Sequence, residues 1–273
     1  MPKKTLEKFI EWLRERNLTK STEKNYVEGV RHYGEKNELN TKQISEYFRK
    51  SKLQHSPGMM KRRCIALKSW VKFQKLRNID WKIVSKIIPS CQNNFFDTID
   101  KEELELLKKV RFEVKEKNYQ RNNFILDFFF YTGIRASELI NVKHCDYDPK
   151  RKTLRILGKG NKVRYILLPT RLASEFEPKS SDYFFKNSLG IGTKLSLRTL
   201  ERIIQERTKK SKINKIITPH SFRRSFATFL HNKKVHLTTI QKLLGHSNIN
   251  TTIQYIHNNY DYLHQDYNKI WQE

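Results

Sequence analysis

Cysteine is scarce, with three in 273 residues. Cys64, Cys91 and Cys145 lie far apart and form no C-x-x-C pair. That spacing argues against a disulfide framework or a zinc site and suits a reducing compartment, here the cytoplasm. No apolar run approaches the ~20 residues of a membrane span. The richest, Phe124 to Tyr131, is broken by Asp127 and has the length of a core helix. Met1-Pro2-Lys3-Lys4 leads into an amphipathic pattern rather than an apolar signal segment. Internal repeats and long low-complexity tracts are absent. Acidic side chains are also few, 28 against 55 Lys and Arg, for a formal net charge of +27. A charge of that size calls for a polyanionic partner, and nucleic acid is the first expectation. Residues 1–92 and the remainder share the excess about equally, which suits two domains closing around duplex DNA better than one basic tail.

What is present begins with helical periodicity. Leu6, Phe9, Ile10 and Leu13 share a helical face. Ser21 or Thr22 is expected to cap a second helix with Tyr26, Val30 and Tyr33, and Thr41 to open a third with Ile44, Tyr47 and Phe48. Ser56-Pro57 starts a basic helix over Met60–Leu76, with Lys61, Arg62, Arg63, Lys68 and Lys72 around an apolar side of Leu67, Trp70 and Val71. The stretch to residue 90 therefore reads as a helical domain, and the polar residues 91–97 as a linker. From 98 a second domain is expected, opened by an Asp100/Glu103 capping box. A buried helix over Asn122–Tyr131 ends at Thr132-Gly133. Leu154 and Ile156, then Val163, Tyr165 and Leu167, alternate on either side of Gly158–Lys162, which predicts a hairpin with a basic tip. Tyr183-Phe184-Phe185 is a candidate third strand, and helices return from Leu197. The fold class is mainly α with a small antiparallel β-sheet.

Chemistry concentrates near the end of the chain. His220-Ser221-Phe222-Arg223, Leu244-Gly245-His246, Thr251-Thr252 and Tyr255-Ile256-His257 lie within a few dozen residues. Upstream stand Thr132-Gly133-Ile134-Arg135-Ala136-Ser137-Glu138-Leu139 and Gly158-Lys159-Gly160-Asn161-Lys162. Two arginines, a lysine, two histidines and a tyrosine can cut a phosphodiester without a metal. Guanidiniums neutralise the phosphate, lysine and histidine move protons, and a phenol attacks. His220 and Arg223 are one helical turn apart behind Thr218-Pro219, a helix start that favours a phosphate. Glu138 is near enough along the chain to orient Arg135. No metal-ligand cluster appears.

The order Arg…Lys…His-x-x-Arg…His…Tyr, with Leu-Gly-His nine residues before the Tyr, resembles the tyrosine recombinases of the phage integrase family, in an Xer-like form. The resemblance covers most of the chain and is strongest from about Asp97 onward. It implies a helical core-binding domain of four helices and a catalytic domain that form a C-shaped clamp on DNA. It implies phosphate clamping by Arg135 and Arg223, protonation of the departing 5′ oxygen by Lys159, with Lys162 as rival or DNA contact, and proton handling by His220. It also implies a phosphate hydrogen bond from His246 and nucleophilic attack by Tyr255. Glu138 and His257 have supporting places. The helix bearing Lys61, Arg62, Arg63 and Lys68 is expected against DNA. The pattern commonly continues with His after the second arginine; here Arg224 stands there, a candidate DNA contact. No cofactor is expected. A segment over Asp261–Trp271 is expected to form a helix that links a tetramer on paired DNA sites. A type IB topoisomerase, a hairpin resolvase or a catalytically silent DNA-binding regulator are the alternatives.

Overall fold

A computed structural model describes residues 2–34, 37–90, 97–158, 163–178, 180–187 and 193–257, the side chains of 2–4, 256 and 257 excepted. The chain divides into two compact units, Met1–Asn93 and Asn94–Glu273.

The first unit is helical: α1 (Pro2–Arg14), α2 (Lys20–Tyr33), α3 (Thr41–Ser51), α4 (Pro57–Phe73) and α5 (Trp81–Ile87). Side-chain caps set four starts, at Thr19, Asn40, Ser56 and Asp80, each worth about 1 kcal/mol. Thr19 rather than Ser21 or Thr22 caps α2. Its backbone is extended and its hydroxyl accepts from Thr22 N–H at 3.3 Å, so Ser21 and Thr22 already lie in the first turn. The basic helix α4 ends at Phe73, short of Leu76, because Lys75 takes a left-handed φ of 57°. Among the described residues five helices stand where four were expected. Asp80 satisfies the N–H groups of Lys82 and Ile83 and so starts α5, which buries Val84. Helices α2 and α4 meet at Gly29, where a Cβ would lie 2.5 Å from the Ala66 Cβ. Phe9 packs edge-on against Trp70, with centroids 4.8 Å apart.

The second unit holds α6 (Lys101–Lys109), α7 (Glu116–Thr132), α8 (Ala136–Leu139), β1 (Tyr147–Asp148), β2 (Thr153–Leu157), β3 (Val163–Leu167), α9 (Thr170–Ala173), α10 (Leu197–Lys210), α11 (Pro219–Asn232), α12 (Leu237–Leu244) and α13 (Ile249–His257). The expected class, mainly α with a small antiparallel sheet, is what the chain adopts. The Asp100/Glu103 capping box is present at α6. Helix α7 starts six residues before the expected Asn122, because its polar first turns carry no apolar pattern. It ends at Gly133 in the left-handed region, φ 59°.

The sheet runs β1-β2-β3, all antiparallel. Its third strand is Tyr147–Asp148, not Tyr183–Phe185; Tyr183 makes a single bridge to Lys143. The alternation expected along β3 is inverted. Register pairs Leu154 with Ile166 and Ile156 with Arg164, so Arg164 and Ile166 share the inner face. Val163, Tyr165 and Leu167 are 42%, 56% and 60% exposed. A shift of one residue turns every side chain to the other face. The core gathers Phe128, Phe129, Leu154, Ile156, Ile166, Phe185, Leu200 and Phe222. A smaller cluster of Ala227, Ile240 and Leu244 takes Tyr255 against it.

Candidate active site

Helix α12 ends at Gly245, whose φ of 64° turns the chain away and leaves the last carbonyls without helical partners. Three consecutive carbonyls there receive three different arginines. Leu243 O accepts from Arg164 Nη1 at 2.5 Å, Leu244 O from Arg223 Nη2, and Gly245 O from Arg135 Nη2 at 3.3 Å. The carbonyl end of a helix is its negative end, so it gathers cations that would otherwise repel one another. Arg135 stands between Gly133, which ends α7, and α8. Arg223 lies one turn into α11 and is 1% exposed; its Nη1 donates to Gly133 O at 2.6 Å. It thereby ties the ends of α7 and α12 together. Arg164 arrives from the inner face of β3.

Glu138 is the carboxylate within this group and its side chain is 4% exposed. Oε1 accepts from Arg135 Nη1 at 2.8 Å, and Oε2 from Arg164 Nη2 at 2.7 Å and from Arg135 N–H at 3.0 Å. Burial alone would raise its pKa, but the hydrogen bonds and charges of Arg164 and Arg135 outweigh it and hold the carboxyl below the usual range. Burial, then Arg135 and Arg164, push Arg223 down to about 9, which leaves it cationic at neutral pH. Three guanidiniums against one carboxylate leave a surplus of two positive charges. A phosphodiester carries one negative charge. Phenolate attack on it creates a second, so the surplus matches the transition state better than the ground state.

His246 follows Gly245 and is nearly buried. Its Nδ1 is 2.9 Å from Thr252 Oγ1, and its ring meets Tyr255 edge-on with centroids 5.2 Å apart. Burial, then the charges of Arg223, Arg135 and Arg164, lower its pKa to about 3. It is a neutral imidazole at neutral pH. In the tautomer where Thr252 donates to Nδ1, Nε2 carries the proton and can donate to a phosphate oxygen. Tyr255, on α13, is half-buried, and the Arg224 guanidinium lies 5.8 Å from its ring centroid. His220, in the first turn of α11 behind the Thr218 cap, keeps much of its ring open to solvent. Partial desolvation, then Arg224, Arg223 and Arg135, lower its pKa. It therefore stands mostly neutral at pH 7, able to accept a proton. A cleft of about 580 Å³ runs beside it, lined by Arg135, Ser137, Leu197, Glu201 and Thr218 among others.

Residues 97–261 match the model of the phage integrase family. The chain belongs to that family. It is 36% identical over 166 residues to the tyrosine recombinase XerC of Staphylococcus epidermidis, covering 57% of this chain and 55% of that one. The chain thus spans about half the length of that relative. Against XerC of Bacillus pumilus it is 32% identical over 221 residues, covering 74% and 71%. Solved structures with the same fold include the Tn1549 transposon integrase in complex with transposon right end DNA, TM-score 0.73 at 16% identity over 97% and 99% of the two chains. A lambda integrase tetramer bound to a Holliday junction gives 0.71, covering 93% of this chain and 76% of that one.

The fold brings together Arg135, Glu138, His220, Arg223, Arg224, His246 and Tyr255. Lys159 and Lys162 lie outside the described residues, as do the 261–271 segment and the side chain of His257. In the first unit, Lys61, Arg62 and Lys68 are exposed on α4. Arg63 is half-buried and faces Tyr47 and His32, whose ionisation its charge shifts. The described residues contain no group of three or more His, Cys, Asp or Glu that could hold a metal, and no helix long and apolar enough to cross a membrane. Arg164 is the site residue that the sequence pattern does not reveal. Alternation of Val163, Tyr165 and Leu167 assigns it to the solvent face, and a cation just after a basic turn carries no sign of pointing inward.

Proposed function

We propose that this integrase is a site-specific DNA recombinase that cuts and rejoins duplex DNA through a 3′-phosphotyrosyl intermediate. The observation that carries the proposal is the placement of Tyr255 edge-on to the neutral His246, in the field of Arg223 and beside Arg224. A phenol ordinarily ionises near pH 10, so attack at neutral pH needs proton removal and positive surroundings. His220 takes the proton. Tyr255 Oη bonds to phosphorus, Arg135 and Arg223 hold the non-bridging oxygens, and His246 donates to one of them. The bond from phosphorus to the 5′ oxygen breaks. That oxygen leaves as a hydroxyl with a proton from Lys159, the family's general acid. One phosphoester replaces another, so no ATP is required, and the guanidinium surplus supplies the charge a metal would otherwise bring.

Lys61, Arg62, Arg63 and Lys68 on α4, together with Lys162 and Arg224, supply DNA contacts. Four protomers joined through the 261–271 segment would hold two duplexes, for resolution, integration and excision, or inversion of DNA in the cytoplasm.

The test uses a pool of random-sequence duplexes nicked near the centre, so that cleavage traps the covalent adduct. Wild-type protein is expected to form an adduct stable to detergent, and Tyr255→Phe to form none while binding DNA within about 3-fold of wild type. An undiminished adduct in Tyr255→Phe would reject the nucleophile. Recovered sequences, placed on two labelled duplexes, yield joined products from a recombinase. Relaxation of supercoils without joining would mark a topoisomerase, and binding without any adduct a regulator.

A further inference from the structure

Arg164 lies on β3, the strand that follows the lysine-bearing 158–162 connection, with its side chain 11% exposed. It makes two directed contacts. Nη2 holds Glu138 Oε2 at 2.7 Å, and Nη1 holds Leu243 O at 2.5 Å. The first fixes the carboxylate so that Oε1 stays on the Arg135 guanidinium. The second fastens β3 to the end of α12, two residues before Gly245 and three before His246. Gly245 also makes room for Arg164, since any Cβ there would collide with the Arg164 Cδ. Arg164 thus spans a carboxylate on one side and a helix-end carbonyl on the other, with Nη1 and Nη2 both engaged inside the protein. Its electrostatic effect is still felt in the site, because its charge helps to keep His246 neutral.

We infer that Arg164 is a positioning residue for strand cleavage. It acts through Glu138 to hold the Arg135 guanidinium and through Leu243 to hold the His246 turn. A lysine could not replace it. A single ammonium nitrogen cannot present the two diverging N–H groups that reach a carboxylate and a carbonyl together. Without Arg164, Glu138 would keep only its two bonds to Arg135, and the carboxylate that orients the Arg135 guanidinium would lose its anchor on β3. A displacement of about 1 Å in such a clamp can slow a reaction by roughly 100-fold.

The inference rests on the proposed recombinase chemistry, so its test pairs a readout that needs activity with one that does not. In single-turnover adduct formation at saturating DNA, Arg164→Ala is expected to be slower by roughly 30-fold or more and Arg164→Lys by about 10-fold, with DNA affinity within about 3-fold. Adding Arg164→Ala to Glu138→Gln should slow cleavage by clearly less than the product of the two single effects, because the Glu138 link is shared by both changes while the Leu243 link is broken only by the first. Full additivity, or wild-type rates in both single variants, would overturn the inference. The second readout is NMR of the free protein. Arg164→Lys, which keeps the charge and guards against a variant that fails to fold, should raise the Glu138 carboxyl titration midpoint and broaden or shift the Arg135 guanidinium resonance. Unchanged spectra at both positions would overturn the inference even if wild-type protein formed no adduct. The absence of a wild-type adduct, by itself, would reject only the recombinase chemistry.

Discussion

His246 is surrounded by guanidiniums and is held neutral in the folded protein, with a pKa of about 3 against 6.5 for an ordinary histidine. The unfolded chain therefore takes up a proton below pH 6.5 that the folded chain does not. Stability from this residue is complete above pH 6.5 and is lost as pH falls toward 3. The slope has a ceiling of about 1.4 kcal/mol per pH unit. Urea midpoints measured between pH 7.5 and pH 5.5, values that span roughly the titration of a free histidine, should fall for wild type. They should fall less steeply for His246→Gln, and equal slopes would show that His246 protonates freely in the native state. That His246, Arg135, Arg223 and Tyr255 would gather in one place was legible from spacing and residue type. The neutrality of His246 was not, because it comes from burial and then from the charges of Arg223, Arg135 and Arg164, which only the fold brings to it.

At the scale of elements, one buried link decides how α10 meets α6 and α7. Arg207 on α10 is fully buried and donates through Nη2 to Glu113 Oε1 at 2.8 Å, and through Nη1 to Leu107 O at 3.2 Å. Asn122 of α7 donates to the same Glu113 oxygen at 2.6 Å. Burial would raise the Glu113 pKa, but Arg207 and Asn122 outweigh it and keep the carboxyl ionised. Glu113→Ala would leave a buried guanidinium without its counter-charge, at a cost of about 3–5 kcal/mol. Chemical denaturation followed by tryptophan-independent probes such as far-ultraviolet circular dichroism should show that loss. A change below about 1 kcal/mol would mean the pair is neutral in sum. Helix starts at Ser56, Asp100 and Thr218 were legible, since a cap is a local contact between residues two or three apart. The face of β3 was not, since period-2 alternation has two registers and only pairing with β2 selects one.

For the whole molecule the decisive quantity is the net charge of +27. Phosphate contacts by lysine and arginine release counterions, so affinity for duplex DNA should fall steeply with salt. For six or more neutralised phosphates the loss is on the order of 10³ between about 50 and 200 mM. Fluorescence anisotropy with a labelled duplex measures it directly, and a flat response would remove the basis for phosphate-dominated binding. Charge reversal of Lys61 and Lys68 to Glu should weaken binding and reduce the salt slope by about 1 for each phosphate no longer neutralised.

The amino-acid sequence by itself determined the positive charge that calls for a polyanionic partner, the helical character of both units, several helix starts and the residue types that phosphodiester chemistry would need. Each of these follows from composition or from contacts within one turn of chain. Only the tertiary structure decided that the C-terminal carbonyls of α12 gather Arg135, Arg164 and Arg223, that Glu138 bridges two of them, and that His246 meets Tyr255 edge-on. Those arrangements join residues up to 110 positions apart. Long-range packing, not local propensity, turns a basic cluster into a site whose surplus charge fits a phosphate under attack.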